Sequence, residues 1–75
     1  MKSLRAQIAS VTDRENLIYE IWHENQQVAE ISKEPGRGYE IEIYPAAENG
    51  AWHFDLSEFK AMLEYGVKEL ESNPQ

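Results

Sequence analysis

Tyr39-Glu40-Ile41-Glu42-Ile43-Tyr44 alternates along its six residues. Tyr39, Ile41 and Ile43 point to one side of an extended chain, and Glu40, Glu42 and Tyr44 to the other. That period of two marks a strand with one face toward a core. Pro45 closes the strand because proline has no N–H to give a ladder.

Two further strands precede it. Leu17 to His23 sets Leu17, Tyr19 and Ile21 against Ile18, Glu20 and Trp22. Val28 to Ser32 sets Ala29 and Ile31 against Val28 and Glu30. Glu24-Asn25-Gln26-Gln27 joins them, and a loop of odd length, such as three residues, keeps Ile21 and Ala29 on one side. Glu34-Pro35-Gly36-Arg37 is the strongest turn signal: proline suits the second position, and glycine supplies the positive φ of the third. Downstream, Asn49-Gly50 is another turn pair, and Trp52-His53-Phe54 predicts a short fourth strand.

The helix that follows has good local chemistry. Asp55 is placed as N-cap with Glu58 at N3, and Phe54 and Phe59 are spaced to form a hydrophobic staple. Leu56, Phe59, Leu63, Val67 and Leu70, flanked by Met62 and Gly66, make one apolar stripe. Asn73-Pro74 stops the helix or follows its end. At the other end of the chain, Leu4, Ile8 and Val11 predict a short amphipathic helix over residues 3–11. Thr12-Asp13-Arg14-Glu15 then turns the chain into the sheet.

These segments predict an α+β fold in one domain, residues 1–75: an antiparallel three- to four-stranded β-meander over 16–54, covered on one face by a C-terminal α-helix over 55–71. A short N-terminal helix or partly flexible arm occupies 1–13. At 75 residues there is room for one core only. With no cysteine, disulfides and thiolate chemistry are excluded. The N-terminus has no apolar signal-peptide region and no apolar run reaches membrane-spanning length, so the expected setting is cytoplasmic.

Formal net charge is −7 and unevenly spread: residues 1–15 carry a net +1 and the remainder a net −8. A domain this acidic repels nucleic acid and membrane surfaces, and its natural partner is a basic protein. Catalytic residues are few. His23 beside Glu24, and His53 two residues before Asp55, are the only histidine–carboxylate pairs, and they read as strand-end residues. Pro35-Gly36-Arg37-Gly38 opens no helix, so it is a hairpin turn and not a phosphate cradle. No catalytic residue, cofactor site or metal site is expected.

The sheet face away from the helix is more informative. With Tyr19, Ile21, Ala29, Ile31, Ile41 and Ile43 under the helix, the other side displays Glu20, Trp22, Val28, Glu30, Glu40, Glu42 and Tyr44. Glu20, Trp22, Glu30, Glu40, Glu42 and Tyr44 form the candidate partner-binding set: aromatics serve as anchors and carboxylates select basic partners.

Tyr19-Glu20-Ile21-Trp22, Val28-Ala29-Glu30-Ile31-Ser32, Ile41-Glu42-Ile43-Tyr44-Pro45, Gly50, Trp52 and the Phe54-Asp55-Leu56 helix start resemble small uncharacterised bacterial proteins, over roughly residues 14–71. That resemblance implies no activity and transfers no functional residue. In size and charge the chain also resembles toxin-neutralising immunity proteins and phage-encoded inhibitors of defence nucleases. The expected function is a non-enzymatic, protein-binding module that blocks a basic partner surface. The alternatives are a small homodimer, structural or regulatory, joined through Trp22 and Tyr44, and an enzyme using His23 or His53.

Overall fold

The structure is a computed structural model that describes residues 4–47 and 50–73. Four strands, β1 (Arg5–Ala9), β2 (Ile18–His23), β3 (Gln26–Ser32) and β4 (Glu40–Ile43), precede one helix, α1 (Leu56–Ser72). They form one antiparallel sheet in the order β1-β2-β3-β4, so each strand lies beside its neighbour in sequence. Ser3, Asn49 and Pro74, which belong to the expected N-terminal helix, the second turn pair and the helix stop, lie outside the described residues.

The N-terminal helix is not seen; within that stretch Arg5–Ala9 forms β1, at one edge of the sheet. Ala6 and Ile8 pair with Ile21 and Tyr19, while Arg5 and Gln7 pair with Trp22 and Glu20. Arg5-Ala6-Gln7-Ile8 therefore carries a period of two as well as a helical spacing. A helix of this length is marginal alone, whereas the open edge of β2 offers a complete set of ladder partners. Trp52-His53-Phe54, expected as a strand, does not join the sheet. Its aromatics pack instead: Trp52 stacks on Phe54 at 5.5 Å and Phe54 on Phe59 at 5.8 Å, with His23 edge-on to both Trp52 and Phe54. Trp52 Nε1 donates to the Tyr44 carbonyl at 2.7 Å, tying the end of β4 to the start of the helix segment.

A two-residue turn, Glu24-Asn25, joins β2 and β3, shorter than the odd loop expected, with Glu24 at φ +54°. Parity is restored by a bulge: Ile21 faces Ala29, but Trp22 faces Gln27, leaving Val28 as the extra residue. Val28 was expected on the second face. Instead it is 1% exposed and joins the cluster of Tyr19, Ile21, Ala29, Ile31 and Leu70. The turn before β4 is as expected, with Arg37 N–H donating to the Glu34 carbonyl at 3.1 Å and Gly36 at φ +75°.

Asp55 caps α1 by accepting from Glu58 N–H at 2.9 Å, and the Phe54–Phe59 staple is formed. The helix lies over β2 and β3. Gly66 sets this contact, because a Cβ there would stand 2.5 Å from Tyr19 Cδ2 and 3.0 Å from Ile31 Cδ1. Consequently Ile41 and Ile43 are on the helix side of the sheet but beyond its edge, 44% and 59% exposed.

Two substitutions check this packing. Gly66→Ala is expected to lower stability by about 1–3 kcal/mol, because the clash with a ring wedged in the core outweighs the helix-propensity gain of up to about 1 kcal/mol. A raised melting temperature would show that the helix stands further off. Asp55→Ala is expected to cost about 0.5–2 kcal/mol, read as a lower urea midpoint at unchanged slope; an unmoved midpoint would place the start of the helix elsewhere.

Candidate functional site

The face opposite the helix holds one polar row across all four strands: Gln7, Glu20, Glu30 and Glu42 stand in register. Three carboxylates side by side repel one another, and the chain answers with local partners. Glu20, 8% exposed, accepts from Gln7 Nε2 at 2.7 Å and from Trp22 Nε1 at 3.1 Å. Arg5 lies over the Trp22 ring, 5.3 Å from its centroid. Glu30, equally buried, accepts from Arg14 at 2.7 Å and from the Tyr44 hydroxyl at 2.9 Å. The same Arg14 nitrogen lies 3.5 Å from Glu42.

Arg14 reaches this row because its loop is tied down. Glu15 and Asn16 N–H groups donate to the Glu34 carboxylate at 2.9 and 3.0 Å, and Asn16 Nδ2 donates to the Lys33 carbonyl at 2.6 Å. Those two main-chain donors hold the Glu34 carboxyl below its usual range. The β1–β2 loop thus docks against the end of β3, and Ile18 beside it is fully buried.

All six sequence-derived residues, Glu20, Trp22, Glu30, Glu40, Glu42 and Tyr44, come to this face, but they divide into two groups. Glu20, Trp22, Glu30 and Tyr44 are at least partly buried and bonded to one another or to Gln7 and Arg14. Glu40 and Glu42 are at the sheet edge with exposed carboxylates, Glu40 paired to Arg37 at 2.9 Å. Sequence reasoning missed Arg5, Arg14 and Arg37. The signal for two of them was the net +1 of residues 1–15 against the acidic remainder. His23 lies 3.9 Å from Glu24 and packs on Trp52 and Phe54, while His53 is exposed. Among the described residues, no three histidine or acidic side chains converge so as to hold a metal ion.

The open side of β4 is the other feature of this region. Tyr44 N–H donates to the Val28 carbonyl at 2.9 Å, which fixes the phase of the β3–β4 ladder. Pairs then alternate, so the main-chain groups of Glu42 and Glu40 face β3, and those of Ile41 and Ile43 point outward. Among the described residues no strand lies beyond β4. Beside this edge, Ile31, Tyr39, Glu40, Ile41, Leu63 and Val67 line a shallow, mostly apolar groove of about 200 Å³ between the sheet and α1.

Comparison with known proteins finds no family model, no curated protein and no solved structure that matches this chain.

Two measurements test the inner network. Arg14→Met is expected to lower the urea midpoint by leaving Glu30 short of a cation, and Arg14→Met with Glu30→Met to recover much of the loss, since a matched apolar pair removes the stranded charge. Equal loss in both would locate the role of Arg14 outside this pair. The second uses Tyr44, whose phenol is pushed up to about 12 by burial and by the bond to, and charge of, Glu30. The folded chain holds this proton more tightly than the unfolded chain, where tyrosine titrates near ~10. Its contribution is therefore complete below about pH 10 and is lost between there and about pH 12. Stability of the wild type is expected to fall more steeply over that window than stability of Tyr44→Phe; parallel curves would contradict the shift.

Proposed function

We propose that this chain is a non-enzymatic, cytoplasmic protein-binding module that offers an acidic surface to a basic protein partner and acts by occluding that partner's basic surface. The observation that carries the reading is β4, on which all four side chains are exposed and two are glutamates. The net charge of −7 gives the same preference at longer range. Glu20 and Glu30 hold the sheet face together, and Glu40 and Glu42 meet the partner. Trp22 and Tyr44 have their polar atoms bonded to Glu20 and Glu30. That bonding supports a role for them in holding the face together and gives no support to a seam between two copies through this pair.

A fluorescent deca-lysine peptide serves as the simplest basic probe. It is expected to bind the wild type with an affinity that falls as salt rises, through screening over about 8–10 Å. Glu40→Lys with Glu42→Lys is expected to weaken that binding at least tenfold with the melting temperature held. Binding that is indifferent to both substitutions would overturn the assignment of the acidic surface.

A further inference from the structure

The open edge of β4 and the groove beside it call for more than charge. Its outward N–H and C=O groups belong to Ile41 and Ile43, whose side chains project on the helix side. Glu40 and Glu42, between and beside them, project on the opposite side. A chain lying antiparallel along this edge would set a residue directly across from Ile41 and another across from Ile43. Those residues would exchange main-chain hydrogen bonds with β4 and share its apolar side. The residues between them would come level with the glutamates.

We infer that β4 is a docking edge for an extended segment of a protein partner with alternating apolar and basic residues, added as a fifth antiparallel strand. The inference rests on the acidic-surface reading and deepens it. Each side of the added strand has its counterpart. Apolar residues extend the row of Ile41 and Ile43 and reach the groove floored by Leu63 and Val67. Lysine or arginine residues come beside Glu40 and Glu42, whose side chains are 45% and 58% exposed, and share their carboxylates with Arg37 at 2.9 Å and Arg14 at 3.5 Å.

Charge selects this occupant over the nearest alternative, a second copy. Two β4 strands paired antiparallel about Ile41 set Glu40 against Glu42 of the other copy, and paired about Glu42 they set Glu42 against itself. Both registers place like charges in contact, and pairing about Ile43 sets Pro45, which has no N–H to give, opposite Ile41. The opposite edge of the sheet offers no equivalent. β1 carries Arg5 and Gln7 on one side, and its Ala6 and Ile8 are already half-buried against the core. Strand addition of this kind draws affinity from main-chain bonds and specificity from alternate side chains.

Fluorescence anisotropy with four seven-residue peptides tests it: alternating lysine and valine beginning with lysine, the same composition in blocks, and the alternating peptide N-methylated either at its valines or at its lysines. In an antiparallel complex the valine amides bond β4 and the lysine amides face away. The alternating peptide is expected to bind at least tenfold tighter than the block peptide. Valine N-methylation is expected to abolish the advantage, and lysine N-methylation to leave affinity within twofold. Ile41→Thr, at an exposed position that keeps the fold, is expected to weaken the alternating peptide several-fold and the block peptide hardly at all. If block and alternating peptides bind equally, and both are lost in Glu40→Lys with Glu42→Lys, the acidic surface stands and strand addition is overturned. Failure of both peptides to bind overturns the two readings together. Sedimentation of the free chain as a dimer dispersed by Ile43→Lys would assign the edge to a second copy and overturn the inference.

Discussion

An α-helix with its side chains is about 10–12 Å across, and strands in a sheet stand about 4.8 Å apart. One helix therefore covers two strands well and a third in part. This chain has one helix and four strands, so some apolar sheet surface must stay open. Gly66 decides which. By admitting the Tyr19 ring and the Ile31 side chain against the helix backbone, it centres α1 on β2 and β3. Ala6 and Ile8 on β1 are short enough, or close enough, to be half-buried at one flank. Ile41 and Ile43 on β4 are left uncovered at the other.

The opposite face solves a different problem with the same economy. No helix covers it, yet Glu20, Glu30, Ser32 and Ile18 are buried there. The β1–β2 loop, held by Glu34, delivers Arg14 to Glu30, while Gln7 and Trp22 bond to Glu20 from the strands themselves. Glu30 then has both oxygens occupied, one by a guanidinium and one by a phenol. A polar group is buried at little cost when it is hydrogen-bonded in this way. A surface that looks uniformly acidic in sequence thus has an interior of hydrogen-bonded carboxylates and a rim, Glu40 and Glu42, that stays exposed beside Arg37 and Arg14, and the rim coincides with the uncovered edge.

Much of this was legible in the sequence, and the failures have physical causes. The period of two in Ile18–His23 and Glu40–Ile43, the Pro35-Gly36 turn and the Asp55 cap are local signals, and they hold. Residues 5–9 satisfied two periods at once, and only the presence of a free β2 edge selects the strand. Val28 changed sides because a tight turn at Glu24-Asn25 required a bulge, a requirement set by β2 and β3 jointly. Trp52 and Phe54 stack with each other and pack on Phe59 and His23 instead of joining a ladder, and His23 comes from a strand distant in sequence. The candidate site was legible as a set of residues but not as two groups. Nothing local to Glu30 or Glu42 indicates that Arg14 will reach them from a separate loop. Nor does the alternation of β4 reveal that the helix stops short of it.

The central claim is that β4 is an open edge awaiting an alternating apolar and basic strand, and amide hydrogen exchange reads it residue by residue. In the isolated chain, Glu40 and Glu42 N–H groups should be protected by the ladder to β3, while Ile41 and Ile43 N–H groups exchange freely. Addition of the alternating lysine–valine peptide should slow Ile41 and Ile43 and leave the rest of the pattern in place. Protection of Ile41 and Ile43 before any peptide is added, or continued free exchange when the peptide is bound, would contradict the claim.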